Sequence, residues 1–409
     1  MRKHMPQVLL VGVMACLLAF PAGAGEREPI EVLRSDAPYK AKQRACRTLS
    51  RHGGSDSVPA LARLLDDEKL SHMARYALER IPGPEADRAL REKLDETSGD
   101  IRAGIIKSLE VRGDRKAIPQ LIGLLDAENQ VVSGAAARAL GRFATPEATA
   151  ALEDAIGRAD LSEEQIHAFA DGLLSCAESF AEQGDSDRAV ALYEKLLEHP
   201  DAPQPVHTAA LRGVALNRGG IDGLQPVLDA LHAENERMFG AAIRAVREMG
   251  SGDEVSEALT DELTDLSEIR QVRLIQALGE RRDMVAGPAL MELAQKGSVD
   301  VRVAAIRALT RIGYEDALDM VQTFAWRGEG KLAEAARDSL AYFPASAADE
   351  ALEGMLDHQS VEARGVAVSL IRQGGLPDPA PVLMQVAETD KSREVRLAAL
   401  KAVRSVAGP

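Results

Sequence analysis

Aromatic residues are scarce in this chain of 409 residues, at 3%. Small globular cores lean on Phe, Tyr and Trp for bulk. Their near absence argues against a set of compact globules and for closely packed helices. The apolar share is ordinary at 45% and comes largely from Ala, Leu, Val and Ile. Ala and Leu are also the strongest helix formers, with Arg and Glu close behind.

Positive charge is in deficit, with a formal net charge of −15. General nucleic-acid binding needs basic density, and such a surface is a poor match for anionic lipid. The excess negative charge does keep a long molecule soluble.

Chemical motifs are missing as well. His52, His72, His167, His199, His207, His232 and His358 include no H-x-x-x-H or H-E-x-x-H pair, the spacing of a one-helix zinc site. There is no C-x-x-C-H haem attachment site, P-loop, dinucleotide fingerprint or G-x-S-x-G elbow. The acid pairs Asp66-Asp67, Glu163-Glu164 and Asp253-Glu254 fall in polar turns and at helix starts, where the helix dipole favours them. They read as solvated caps. No enzymatic activity and no cofactor is expected.

Long apolar runs are limited to one. Arg2 and Lys3 precede Val8 to Phe20, which is too short to span a bilayer comfortably. Pro21 breaks the run, and Ala22-Gly23-Ala24 supplies a small-x-small cleavage pattern. These features predict a signal peptide over 1–24 and a mature start at Gly25. The mature protein is expected to be periplasmic or secreted, with no transmembrane segment. Abundant Arg and Ala with scarce Asn and Lys suggest a GC-rich bacterial genome.

The positive signal is an internal repeat. One nine-residue pattern recurs: apolar, often Arg, any, small, Ala, apolar, often basic, small, apolar. Its clearest copies run from Val301 to Leu309 and from Val395 to Val403. Others start at Ile101, Val132, Val206 and Met238, and looser ones at Ala41, Met73, Ile166, Arg270, Leu332 and Ala363. Most starts are about 31 or 32 residues apart, and the step from Ile166 to Val206 is about 40. Before most copies comes a second helical signature, as in Val58-Pro59-Ala60-Leu61 and Ile118-Pro119-Gln120-Leu121. Proline suits a first helical turn because its missing N–H has no intrahelical partner there. Gly53, Gly113, Gly219, Gly250 and Gly313 come after the second helix, where left-handed C-caps are expected. Each unit is therefore helix A, a turn, helix B and a glycine stop. One hairpin cannot bury its own apolar faces, but a stack can. Positions 1, 2, 5, 6, 8 and 9 of helix B are predicted to be buried, with 3 and 7 pointing away.

This arrangement resembles HEAT repeats, particularly the short bacterial units called PBS-lyase repeats. The resemblance covers about residues 37–407 and implies an all-α, right-handed α-solenoid of about twelve hairpins over 25–409. The acid before helix B and the Arg after it carry the resemblance: Asp100 with Arg102, Asp300 with Arg302, Glu394 with Arg396. In the family such pairs form a ladder between neighbouring repeats. HEAT-like di-iron hydroxylases depend on His-Glu dipeptides, which are absent here. Residues 166–198, with Ala177, Gly184-Asp185, Ala189 and Tyr193, look like one tetratricopeptide-type hairpin, with a stiff turn after it from Asp201 to Pro205. Cys46 and Cys176 lie four repeats apart. Stacked helices add roughly 8–10 Å each, and a disulfide needs Cα atoms within about 7 Å, so both are expected to be buried thiols.

Two candidate partner surfaces emerge. The first is the basic row at position 7 of helix B: Arg47, Lys107, Arg138, Arg212, Arg244, Arg307 and Lys401. Helix B lines the concave face of a HEAT-like stack. The row is thus either a basic track for carboxylate or phosphate, or a set of ion pairs with acids on the same or the next repeat. The second is the aromatic group Tyr314, Phe324, Trp326, Tyr342 and Phe343. It is either an interface of the aromatic-plus-Arg kind, with Tyr314 and Trp326 exposed, or a bulky core layer. The leading functional reading is a non-enzymatic scaffold that binds a protein or peptide along helix B. Alternatives are carbohydrate or envelope-polymer binding around Tyr314 and Trp326, or a lyase related to phycobilin lyases.

Overall fold

The computed structural model describes residues 26–250, 252–340, 343 and 345–406. The expected signal peptide and Tyr342 lie outside the described residues. Among the described residues there are twenty-four α-helices and no strand, and the chain forms two compact units divided at Gly172 and Leu173.

In the first unit, helices pair as α1 (Arg27–Arg34) with α2 (Tyr39–His52), α3 (Val58–Ala62) with α4 (Ser71–Leu78), α5 (Pro84–Glu96) with α6 (Gly99–Arg112), and α7 (Ile118–Gly123) with α8 (Gln130–Phe143). Next come α9 (Pro146–Ile156) and α10 (Glu163–Glu182), within which the division falls. The second unit continues with α11 (Ser186–Glu198), α12 (Gln204–Arg218), α13 (Gln225–His232), α14 (Glu236–Glu248), α15 (Asp253–Asp261) and α16 (Glu268–Arg281). It closes with α17 (Gly287–Lys296), α18 (Val299–Ile312), α19 (Leu318–Arg327), α20 (Gly330–Leu340), α21 (Ala345–Leu356), α22 (Val361–Leu370), α23 (Pro379–Thr389) and α24 (Arg393–Val406). Every predicted copy of the nine-residue pattern starts on an even-numbered helix. These B helices pack side by side: α2, α4, α6 and α8 in the first unit, and α12, α14, α16, α18 and α20 in the second, where α22 also packs on α24. The fold is the all-α solenoid class that the repeat predicted.

Helix α18 shows how the pattern works. Val301, Ala304, Ala305, Ile306, Ala308 and Leu309 are buried, and Arg307 is exposed. Full burial of a Leu-sized side chain stabilises by about 1.5–3 kcal/mol. The buried arc differs from the predicted one at two positions: position 4 (Ala304) is covered, and position 2 (Arg302) is only half-buried. Position 3 is also buried where it is glycine, at Gly134 and Gly240. Small residues let the B helices approach closely. A Cβ on Gly279 of α16 would lie 3.0 Å from Ala308 Cα, and one on Gly141 of α8 would lie 2.5 Å from the Gly172 carbonyl oxygen. This close approach takes the place of aromatic bulk.

Pro59 and Pro119 sit in the first turns of α3 and α7, as predicted. Pro205 likewise lies in the first turn of α12 rather than in the expected stiff loop. The glycine stops are more varied than predicted. Gly113 (φ 68°) and Gly313 (φ 76°) take the left-handed conformation. Gly53 ends α2 at φ −77°, Gly219 combines φ 68° with an extended ψ, and Gly250 is not left-handed. Ala144 and Arg282 adopt left-handed turns without glycine. The direction in which the chain must leave the helix decides the cap, so glycine marks the stop without setting its geometry. Cys46 and Cys176 are both buried, and burial pushes the Cys46 thiol up to about 11.

The predicted acid-to-arginine ladder takes another form. Arg302 donates to the Ala294 carbonyl at the end of α17 in its own hairpin, and Arg102 and Arg396 act likewise on Asp95 and Asp390. Position-2 arginines therefore satisfy carbonyls that the end of helix A leaves without partners. Links between repeats are made by other pairs at the B-helix N-termini. Asn235 bonds Gln204, Arg270 bonds Glu236, Ser298 bonds Glu268, and Lys331 bonds Asp300. The predicted contact between neighbouring repeats does occur near the end of the second unit, where the position-2 residue Arg364 of α22 forms a two-pronged pair with Asp390, ahead of α24, at 2.7 and 3.1 Å. Burial acts to raise the Asp390 carboxyl, but the Arg364 bonds and the Ser392 N–H outweigh it and hold the group below the usual range. A depressed carboxylate contributes stability above the unfolded pKa, and that contribution is lost as pH falls through the folded value. Asp390→Asn is therefore expected to weaken the protein at pH 7 and to flatten its loss of stability below about pH 4. Denaturant titrations at both pH values check this, and an unchanged slope would refute it.

Candidate functional site

All seven position-7 bases are exposed, as predicted, but their surroundings differ. In the first unit, Lys107 pairs with Glu110 at 2.7 Å, and burial pushes the Asp171 carboxyl up, an effect that nearby Arg138 only partly offsets. In the second unit, Arg212 pairs with Glu248 of α14 at 2.6 Å. Among the described residues, Arg244 and Arg307 form no ion pair within 4.0 Å. The row thus divides into members tied to acids and members open to a partner.

Arg307 is set apart by its position between two cavities. One, of about 520 Å³, lies between α16 and α18 and is lined by Ile269, Val272 and Val303 with Arg273, Arg307 and Arg311 set against Glu268, Glu280 and Asp300. The second, of about 770 Å³, brings Arg282, Arg307, Arg311 and Arg337 together with Asp338, over the turn at Gln373–Gly375. A third, of about 700 Å³, continues across α20, α22 and α24 and contains Glu334, Asp338, Glu362, Glu394 and Trp326. Arg307 and Arg311 line both of the first two cavities. Arg337, Asp338, Leu370 and Gln373 line both of the last two. The three therefore form one trough along the B helices of the second unit. Its charge changes sign along its length, because position 7 is Arg307 on α18 and Asp338 on α20.

The repeat pattern gave no warning of a row of exposed aliphatic residues at the first or second position of B helices. Val299 (52% exposed) and Val361 (36%) open their helices, whereas Ile269 (76%) and, in the first unit, Val131 come second. Ile269 and Val361 border the trough. Their signal was available: each is an apolar residue in a polar first turn, one or two places before the pattern begins.

The aromatic pair is not assembled. Tyr314 precedes α19 and Trp326 lies in its last turn, so the two occupy opposite ends of that helix. Both are half-buried rather than exposed, and both pack against the core. Tyr314 lies against Gly287, where an added Cβ would meet its ring at 2.2 Å. Arg302 covers Phe324, and Phe343 is buried. Trp326 alone lines the trough, with Arg327 over its ring at 4.4 Å and the His358 ring at 4.9 Å. Among the described residues no cluster of His, Cys, Asp and Glu is arranged to hold a metal ion, and no helix is long and apolar enough to cross a membrane.

HEAT repeats match the chain at residues 27–110, 88–170 and 256–341, together more than half of its length. The chain belongs to the HEAT-repeat family. Similar solved structures share its fold at low identity. Kap121p bound to Pho4p matches with a TM-score of 0.58 and 12% identity over 93% of this chain and 49% of that one. Kap121p bound to the extreme C-terminus of the protein phosphatase Cdc14p matches with a TM-score of 0.57 and 11% identity over 94% and 50%. This HEAT chain spans about half the length of the Kap121p chains it matches. No curated protein matches it.

Proposed function

We propose that this HEAT-repeat protein is a non-enzymatic scaffold, exported through its N-terminal segment, that holds an extended polypeptide along the B-helix trough of its second unit. The continuous trough carries the reading: three connected cavities, edged by exposed Ile269 and Val361 and centred on Arg307. Repeat stacks present extended binding surfaces of this kind. The Kap121p structures, in which the same fold class is bound to polypeptides, support it. Residues 166–198 fit the proposal as a tetratricopeptide-type variation within the array. The phycobilin-lyase alternative gains no support from the trough. Sugar binding at Trp326 is disfavoured because Arg327 and His358 already occupy the ring.

The test is retention of envelope proteins by immobilised protein, compared with Ile269→Asp. Ile269 is so exposed that the substitution should leave stability within about 0.5 kcal/mol. A desolvated charge in the trough is expected to weaken specific retention at least about tenfold. Identical retained proteins at identical yield would refute the trough as the binding surface.

A further inference from the structure

The arginine cavity narrows the chemistry of the partner. Four guanidinium-bearing side chains from three stretches of chain line one cavity: Arg282 after α16, Arg307 and Arg311 on α18, and Arg337 on α20. Two have partial commitments. Arg311 lies 3.6 Å from Glu280, and Arg337 donates its Nε to the Ala325 carbonyl. Arg282 and Arg307 form no ion pair among the described residues. Arg282 also sits at φ 59°, a conformation that costs a side-chain-bearing residue roughly 1–3 kcal/mol. Among the described residues, Asp338 is the one acid lining this cavity. Such convergence is unexpected in a chain of net charge −15 and leaves several forked donors facing one space. Arginine forks match carboxylates in two-pronged geometry. The adjoining cavity reverses the field with Glu334, Glu362 and Glu394.

We propose that the second unit recognises a polypeptide segment with separated blocks of opposite charge, its Asp or Glu side chains held by Arg282, Arg307 and Arg311 and its Lys or Arg side chains by Glu334, Glu362 and Glu394. This rests on the trough reading above and specifies its ligand. The nearest members of the two sets, Arg307 on α18 and Glu334 on α20, sit one B helix apart, and the centres of the sets about two, roughly 10–20 Å. An extended chain covers that distance in about three to six residues. The surrounding negative surface repels a uniformly acidic segment everywhere except at the arginine cavity, so charge order becomes part of recognition.

Fluorescence anisotropy with labelled synthetic peptides tests this on the whole mature protein. The probe carries about three Asp and three Lys, separated by about four neutral residues to match that span. Controls are an all-Asp peptide, the same composition in alternating order, and inorganic phosphate as competitor. The block peptide is expected to bind more tightly as salt is lowered and to lose about tenfold in affinity with Arg307→Glu and again with Arg311→Glu. Both residues are exposed, and circular dichroism confirms that the variants fold. Equal affinity for the alternating peptide, undiminished binding by both variants, or displacement by millimolar phosphate would each overturn the proposal. If the peptide fails while Ile269→Asp still abolishes envelope-protein retention, the charge assignment falls and the scaffold reading stands. If Ile269→Asp changes nothing, the scaffold reading falls as well.

Discussion

Replacing Arg281 by Ala is expected to destabilise the second unit by about 3–5 kcal/mol, the usual cost of removing one partner from a buried charged pair. The Arg281 side chain is only 2% exposed. It donates to the carbonyls of Val246 (2.8 Å), Met249 (3.0 Å) and Gly250 (3.1 Å) at the end of α14, one repeat earlier. Its Nε also meets the buried Asp283 carboxylate at 2.8 Å, and that carboxylate accepts the Ser256 hydroxyl. Truncation would leave the Val246 and Met249 carbonyls and the Asp283 carboxylate without this donor, in a place water does not readily reach. Lysine cannot reproduce the fork, so Arg281→Lys should recover only part of the loss. Repeat arrays need not unfold in one step. Hydrogen exchange across α14 and α16 should therefore accompany the denaturant curve. A loss under about 1 kcal/mol with unchanged protection there would refute this role. Arg112 plays the same part in the first unit, bonding the carbonyls of Leu78, Ile81 and Gly83 and the Asp87 carboxylate.

Gly141→Val should be the most damaging small substitution in the first unit. A Cβ there would sit 2.5 Å from the Gly172 carbonyl oxygen and 2.7 Å from the Gly172 Cα. Both are backbone atoms, so relief requires α8 and α10 to separate. Overpacking of this kind costs about 1–3 kcal/mol, and more where nothing can shift. Gly157→Ala is the matched control, because its Cβ would meet only ordinary contacts at 3.7 Å. It should be close to neutral. Thermal melts of the two variants side by side provide the measurement, and equal midpoints would show that the crossing has slack.

The candidate site was only partly legible. Exposure of Arg138, Arg212, Arg244 and Arg307 came from helical period alone, because position 7 lies opposite the buried arc. Whether each has a partner did not. Arg212 meets Glu248, 36 residues away, whereas Arg307 meets no acid among the described residues. Tyr314 and Trp326 looked like a pair because they are close in sequence, but α19 holds them at opposite ends. Arg282 and Arg337 carry no signal in the repeat, because neither occupies its outward position. They reach the cavity through a left-handed turn and through the neighbouring helix.

The linear order of residues already dictates the alternation of A and B helices, the number of hairpins and the face each B helix buries. Those properties depend on a period of 3.6 residues and on side chains near one another along the chain. Packing in three dimensions settles which arginines brace the stack and which stay open. It also settles where cavities join into a trough and where the trough changes sign. These outcomes depend on groups about thirty residues apart, placed by how closely neighbouring helices approach. A difference of one methyl group at Gly141 or Gly279 is enough to change that approach.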